Sequence, residues 1–277
     1  MSYEHDVQDF YDSALHCYQK IMGDYWHHGD PEALAVGLPR ERACQLLNER
    51  VVALTGISQR SRVLDFGSGI GGPTLHRATV SGGAFVGVSN NDRLNATARD
   101  KAAARGLSAR VSFQTLDDTA YRQLPFPDAS FDAVTFYDSV CHLPDKQAFF
   151  REVARVLKPG GRVGGIDWLQ RPFGAHQEES AIMRFMAPVN ELIRIPWHGT
   201  LEGYKGMMVS AGLSVFVARD LFAGEKCWGP VQDAETPVWA GYDGPDREMF
   251  RQGDIALAAA REAGVFTVGI WFAGKPS

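Results

Sequence analysis

The 277-residue chain is poor in cysteine, and no excess of positive charge accompanies it. Cys17, Cys44, Cys141 and Cys227 are widely spaced, with no CxxC pair and no histidines at ligand spacing. That pattern argues against a structural zinc site and against a disulfide framework. Reduced thiols in a cytoplasmic compartment are the expectation. With 28 Lys and Arg against 33 Asp and Glu, the net charge of -5 leaves no electrostatic footprint for a phosphate backbone, so nucleic acid is not an expected partner. No apolar run approaches the roughly 18 residues needed to span a bilayer. The opening MSYEHDVQDFYD is acidic and aromatic, where a signal peptide would begin basic and turn apolar. Internal repeats and low-complexity tracts are also missing, and the sequence leaves the oligomeric state open.

What is present is an alternation. Residues 1–60 read as helical, with a break at Gly29, Asp30 and Pro31 and a second helix over about 40–54 that carries Ala43, Leu46, Leu47 and Val51 on one face. Short apolar runs follow at 62–66, 84–88, 111–114, 131–136 and 162–166, separated by helical stretches at about 72–80, 91–105 and 145–157. This rhythm predicts βαβ units and a parallel sheet. Pro159, Gly160 and Gly161 mark a turn before the fifth strand. Residues 168–212 are rich in Trp, Phe, Met, Pro and His and read as a cover outside the rhythm, before strands at 213–217 and 265–272 flank a helix at about 246–263. The expected organisation is an N-terminal helical cap (1–60), a cofactor-binding core (61–167), a substrate-cover insertion (168–212) and a return to the core sheet (213–277).

The run RVLDFGSGIGG, residues 62–72, sets a strand directly before alternating glycines and a helix. Such a turn lets backbone approach a ligand closely. Gly67, Gly69 and Gly72 also satisfy the dinucleotide pattern GxGxxG. Asp65 weighs against that alternative, because a carboxylate at the strand end would repel a pyrophosphate and could hold the ammonium of a methionine moiety. The second strand ends in Ser89, Asn90 and Asn91 in place of the acid a dinucleotide enzyme sets on its ribose. Ser89 and Asn90 are candidate ribose contacts, and Asn90 and Asn91 are equally natural helix caps. Asp117 and Asp118, after the third strand, are candidate acceptors for an adenine amino group or simply solvated acids.

Together, VLDFGSGIGGPTLHRA, GVSNND, LPFPDASFDAV and FFREVARVLKPGGRV resemble the class I S-adenosylmethionine-dependent methyltransferases over roughly residues 9–220. A narrower likeness is to sterol C24-methyltransferases and related enzymes that methylate isoprenoid double bonds. It rests on Ser89-Asn90-Asn91-Asp92, on Asp138 with Cys141, His142 and Pro144, on Asp167-Trp168, on Gly72-Pro73, and on the N-terminal Phe10-Tyr11-Asp12 and Tyr25-Trp26-His27-His28-Gly29. Beyond about Leu221 the likeness to the sterol enzymes is lost. The resemblance implies a Rossmann-like α/β fold with a mostly parallel seven-stranded sheet, helices on both faces and S-adenosyl-L-methionine as cofactor. Gly67, Ser68, Gly69 and Tyr137 join Asp65, Asn90, Asn91, Asp117 and Asp118 as candidate cofactor contacts.

Methylation of an alkene leaves a carbocation, which calls for aromatic faces, a negative group and a base. Asp138 and His142 rank first as bases, Asp167 next, with Tyr25 beside them as a catalytic candidate. Tyr11, Trp26, Trp168 and Trp197 are candidate substrate walls. The acceptor is expected to be a small hydrophobic molecule. An O- or N-methyltransferase of a natural-product phenol or amine, and a non-catalytic cofactor-binding module, are the competing readings. No metal site is expected, although a diphosphate-bearing acceptor would call for clustered cations; Arg171, Arg184, Arg194 and Lys205 follow no such pattern.

Overall fold

Five short apolar segments that read as parallel strands do form one sheet in the computed structural model, which describes residues 3–172, 178–228 and 242–277. The strands are β1 (Arg62–Phe66), β2 (Ala84–Ser89), β3 (Val111–Thr115), β4 (Phe131–Tyr137), β5 (Leu157–Gln170), β6 (Ser214–Asp220) and β7 (Phe266–Gly274). Their order is β3-β2-β1-β4-β5-β7-β6. The first five run parallel, and β7 enters antiparallel between β5 and β6.

The crossover helices divide between the two faces. α3 (Arg40–Thr55), α4 (Gly72–Ser81) and α5 (Asp92–Ala104) share one face, where Leu75, Ala78, Ala98 and Ala102 pack on Val63 and Phe85. On the other, α6 (Lys146–Val156) and α8 (Leu201–Ser210) bury Phe149, Phe150, Val153, Tyr204 and Met208 against Val134 and Trp271. A third cluster joins α1 (Tyr3–Met22), α7 (Glu179–Ile193) and α9 (Arg247–Glu262) through Phe10, Met186, Phe250 and Leu257. A short α2 (Pro31–Ala35) links α1 to α3.

Two boundaries differ from expectation. Pairing of β5 begins at Leu157, opposite Phe131, so the turn expected at Pro159–Gly161 is a register shift within the strand, with Gly160 at φ +75°. The same strand runs on to Gln170, which puts Trp168 on the sheet. Long antiparallel pairing with β7, from Arg162 to Gln170, holds this extension. α8 packs on β6 and therefore belongs to the sheet's helical layer. Residues 173–177 of the expected cover lie outside the described residues.

Because β1 lies between β2 and β4, the strand order reverses there, and the crevice at its carboxyl end is where open α/β sheets bind ligands.

Candidate active site

That crevice opens into a cavity of about 660 Å3. One side is the turn after β1. Gly67, at φ +72°, takes a conformation that costs glycine little, and a Cβ there would overlap the Ser139 side chain. Two residues farther along α4, Thr74 and Arg77 turn inward. The Arg77 Nη2 donates to Asp65 Oδ2 at 2.6 Å, Thr135 Oγ1 donates to Oδ1 at 2.8 Å, and Thr74 donates as well. Asp65 is 3 % exposed and does not line the cavity. The ammonium contact expected of it is thus corrected: its oxygens are spent on securing the turn from beneath.

Gly67, Ser68, Gly69, Asn90, Asp117, Asp118 and Tyr137 all reach the cavity. Asn90 Nδ2 donates to Asp118 Oδ1 at 2.9 Å, so the tip of β2 and the loop after β3 form one polar ledge. Asn91 faces away. Its Oδ1 accepts from the Leu94 amide at 3.0 Å and its Nδ2 donates to Asp12, which makes it the cap of α5 and a tie to α1. Ser68 Oγ and Tyr137 Oη are buried with no hydrogen-bond partner. Buried polar atoms are seldom left so, and here they mark where a polar ligand would satisfy them. The bare glycine bend, the ledge and these two hydroxyls fit the methionine and nucleoside ends of S-adenosylmethionine.

Beside the turn, Asp138 directly follows β4. Its φ of +44° lies in the left-handed region that Asp tolerates better than most residues, and its amide donates to the Ile166 carbonyl at 2.9 Å. Both carboxyl oxygens are buried without a hydrogen-bond partner. Burial pushes this carboxyl well above the usual range and the neighbouring Asp167 adds to it, while the Trp168 side chain offsets part. His28, 4.0 Å away, is the nearest basic side chain, and burial presses it down to about 3.

His142 ends a 3-10 turn (Val140–His142) after β4 and lies between two partners. Its Nδ1 is 2.7 Å from the Arg194 carbonyl, which can only accept, so Nδ1 carries the proton and Nε2 accepts from Tyr11 Oη at 2.8 Å. Burial lowers this imidazole to about 4, so it is neutral at physiological pH. Lys146, buried and lowered to about 8 by desolvation, donates to the carbonyls of Cys141 and Leu143 on either side of His142. Tyr11→Phe should cost about 1 kcal/mol of stability, the usual worth of one hydrogen bond. Urea unfolding measures it, and an unchanged midpoint would show the Tyr11–His142 contact to be idle.

Besides Asp65 and Asn91, three expected site residues stay outside the cavity. Tyr25 is 5 % exposed and packs its ring on His27 and His76. Asp167 lies behind the wall, accepting from Tyr204 Oη at 2.9 Å and from the Trp168 amide, with burial raising it to about 6. Trp197 is 39 % exposed, donates to the Pro144 carbonyl and covers the Lys146 ammonium at 4.0 Å. Tyr11, Trp26 and Trp168 do line the cavity, joined by Tyr18, Trp228 and Phe250, whose helical or loop context carried no signal beyond ordinary core aromatics. Among the described residues no group of three His, Cys, Asp or Glu could hold a metal ion. The four cysteines are free and buried, and no described helix is long and apolar enough to cross a membrane.

Known proteins are similar to this chain in sequence and in fold. The methyltransferase domain family matches residues 64–164. The chain is 31% identical over 218 residues to 27-O-demethylrifamycin SV methyltransferase of Amycolatopsis mediterranei, covering 76% of this chain and 74% of that one. It is 34% identical over 163 residues to sterol 24-C-methyltransferase erg6 of Aspergillus fumigatus, spanning 59% of this chain but only 42% of that enzyme. In three dimensions the cyclase SpnF superposes with a TM-score of 0.79 at 25% identity, over 99% of this chain and 97% of its own. A shared fold with a cyclase leaves the chemistry to the site, but the sequence relationship spans most of both chains, and the dinucleotide alternative falls. The chain belongs to the class I S-adenosylmethionine-dependent methyltransferases.

Proposed function

We propose that this enzyme methylates a carbon–carbon double bond of an isoprenoid group in an acceptor that carries no diphosphate. The observation that supports this reading is the Asp138 carboxyl, buried without a hydrogen-bond partner, on the wall of a cavity whose other surfaces are aromatic rings. Tyr11, Tyr18, Trp26, Trp168, Trp228 and Phe250 surround the space beyond the glycine turn. Ring faces stabilise a cation without reacting with it.

S-adenosylmethionine, when bound, would supply an electrophilic methyl group, its sulfur keeping the electron pair of the broken methyl–sulfur bond as a neutral thioether. The chain's share begins with shape: rings that hold an alkene in a near-attack position replace the strong nucleophile that the acceptor lacks. The alkene's π electrons form the new bond to the methyl carbon, and the positive charge left on the neighbouring carbon lies among the rings. Asp138 then takes a proton from an adjacent carbon, whose C–H electrons become the new double bond. A carboxyl raised by burial is a stronger base than an ordinary one once ionised, which suits it to that step.

Charge on the lining argues against a diphosphate. Among the described residues Arg261 is the sole Lys or Arg there, against Asp117, Asp118 and Asp254, setting aside Asp24, which Lys101 and Arg105 balance, and Asp138, which burial holds protonated. Arg261 already donates to the Cys227 carbonyl and stacks over Trp228. An acid-rich pocket suits a sulfonium and a carbocation and repels a diphosphate.

One observation favours methylation of a hydroxyl oxygen as a second reading. The 27-O-demethylrifamycin SV methyltransferase, matched over 74% of its length, bears an O-methylation name, and the neutral His142 with Tyr11 offers a path for a hydroxyl proton. Reaction of the enzyme with carbon-13-labelled cofactor and a panel of prenylated aromatics and terpenoid alcohols, followed by product NMR, decides between them. A labelled methyl bonded to carbon supports the first reading, and one bonded to oxygen replaces it with the second.

A further inference from the structure

Asp138 is placed at the boundary between the two halves of the cavity. Its neighbour Ser139 abuts Gly67 and donates through Oγ to the Phe66 carbonyl at 3.1 Å, so the segment that carries Asp138 adjoins the cofactor turn, and Asp138 lines the same cavity as that turn and the aromatic end. We infer that Asp138 is the residue by which this site distinguishes the charged methyl donor from its spent, uncharged product: entry of the sulfonium expels a proton from the Asp138 carboxyl, and entry of the thioether leaves that proton in place.

The inference rests on what surrounds the carboxyl. His28 faces it from the loop before α2, at 4.0 Å, and neither of its ring nitrogens has a hydrogen-bond partner. Burial holds that imidazole neutral. Tyr11 from α1, Cys44 from α3, Tyr137 from its own strand and Cys141 from the following turn are near it, and burial pushes each of them up, so each stays uncharged. Tyr204 and Cys227 face it on the same terms. Asp167, the remaining neighbour, can contribute only negative charge.

No protein cation therefore balances an ionised Asp138 among the groups that face it, the Trp168 side chain offsets only part of the cost of burial, and a buried carboxylate so placed takes a proton instead. A sulfonium in the adjoining turn supplies the missing positive charge. After methyl transfer that charge leaves the sulfur, and by the proposed reaction Asp138 ends protonated, the state the empty cavity prefers. The next molecule of donor releases this proton to solvent. Proton and sulfonium thus exclude one another at this site, which ties release of product to its loss of charge.

The inference depends on the cofactor assignment but not on whether carbon or oxygen is methylated. Its test is titration calorimetry of the full chain, without acceptor, in two buffers of different ionisation enthalpy. S-adenosylmethionine and the unreactive amine analogue sinefungin should each release close to one proton at neutral pH, and S-adenosylhomocysteine close to none. On the acid side of the Asp138 pKa, donor affinity should fall by about tenfold per pH unit while product affinity stays flat. Asp138→Asn suits the left-handed backbone and should keep the fold; it should lose the difference in proton release and weaken the donor by at least about tenfold, with the product within about threefold. Equal proton counts for donor and product overturn the inference, whatever the variant does. So does a difference that survives in Asp138→Asn and disappears in Asp167→Asn. Failure of all three ligands to bind would instead remove the cofactor assignment itself, and the inference with it.

Discussion

Arg77→Met should destabilise the protein by about 3–5 kcal/mol, the usual result of removing one partner from a buried ion pair. The guanidinium is fully buried, 2.6 Å from Asp65, and 4.7 Å from the Tyr137 ring on the cavity wall. Without it, Asp65 keeps only the hydroxyls of Thr74 and Thr135 to carry a buried charge. Chemical unfolding measures the loss. A cost below about 1 kcal/mol, the range of exposed pairs, would mean that the contact is not a buried pair in energetic terms. Asp65→Asn combined with Arg77→Met removes both charges and should recover a large part of the deficit, because neither partner is then stranded. The single variant should also weaken S-adenosylhomocysteine, since Asp65 is the last but one residue of the strand that launches the glycine turn. Recovery of stability without recovery of binding would separate the pair's two roles.

The parallel half of the sheet and the glycine turn were legible because each is written in adjacent residues: an apolar run, then glycine, then a helix of matching period. Caps were legible for the same reason, and Asn91 illustrates the limit, since the letters alone fit a cofactor contact as well as the cap it forms. The far edge of the sheet was harder. Insertion of β7 between β5 and β6 depends on pairing across a hundred residues, and the length of β5 follows from that pairing and not from its own composition. Errors at the site have one physical origin. Trp197, Tyr25 and Asp167 carry the right chemistry at the right place in the chain, but side-chain direction is set by partners distant in sequence: Lys146 for the first, His76 for the second, Tyr204 for the third. Arg77 was passed over because an arginine within a helix reads as a solvated charge, and only the short step back to Asp65 shows it pointing inward.

Asp138→Asn should lower turnover by about 10²–10⁴-fold at saturating donor, the range seen when a positioned base is removed. The substitution keeps size, tolerates the left-handed backbone and takes away only the ability to accept a proton. Saturation with donor matters, because the same variant is expected to weaken donor binding. His142→Ala offers the contrast. Its imidazole, neutral and engaged at both nitrogens, supports the cap through Tyr11 and the Arg194 carbonyl, so its loss should act mainly through acceptor KM. In a carbon methylation the proton leaves after the new bond is made, so acceptor deuterated at the carbon that loses it should show a larger isotope effect in Asp138→Asn than in the native enzyme, as deprotonation becomes the slow step. Full turnover in Asp138→Asn together with collapse of kcat in His142→Ala would assign the base to the imidazole and, with it, the methyl group to oxygen.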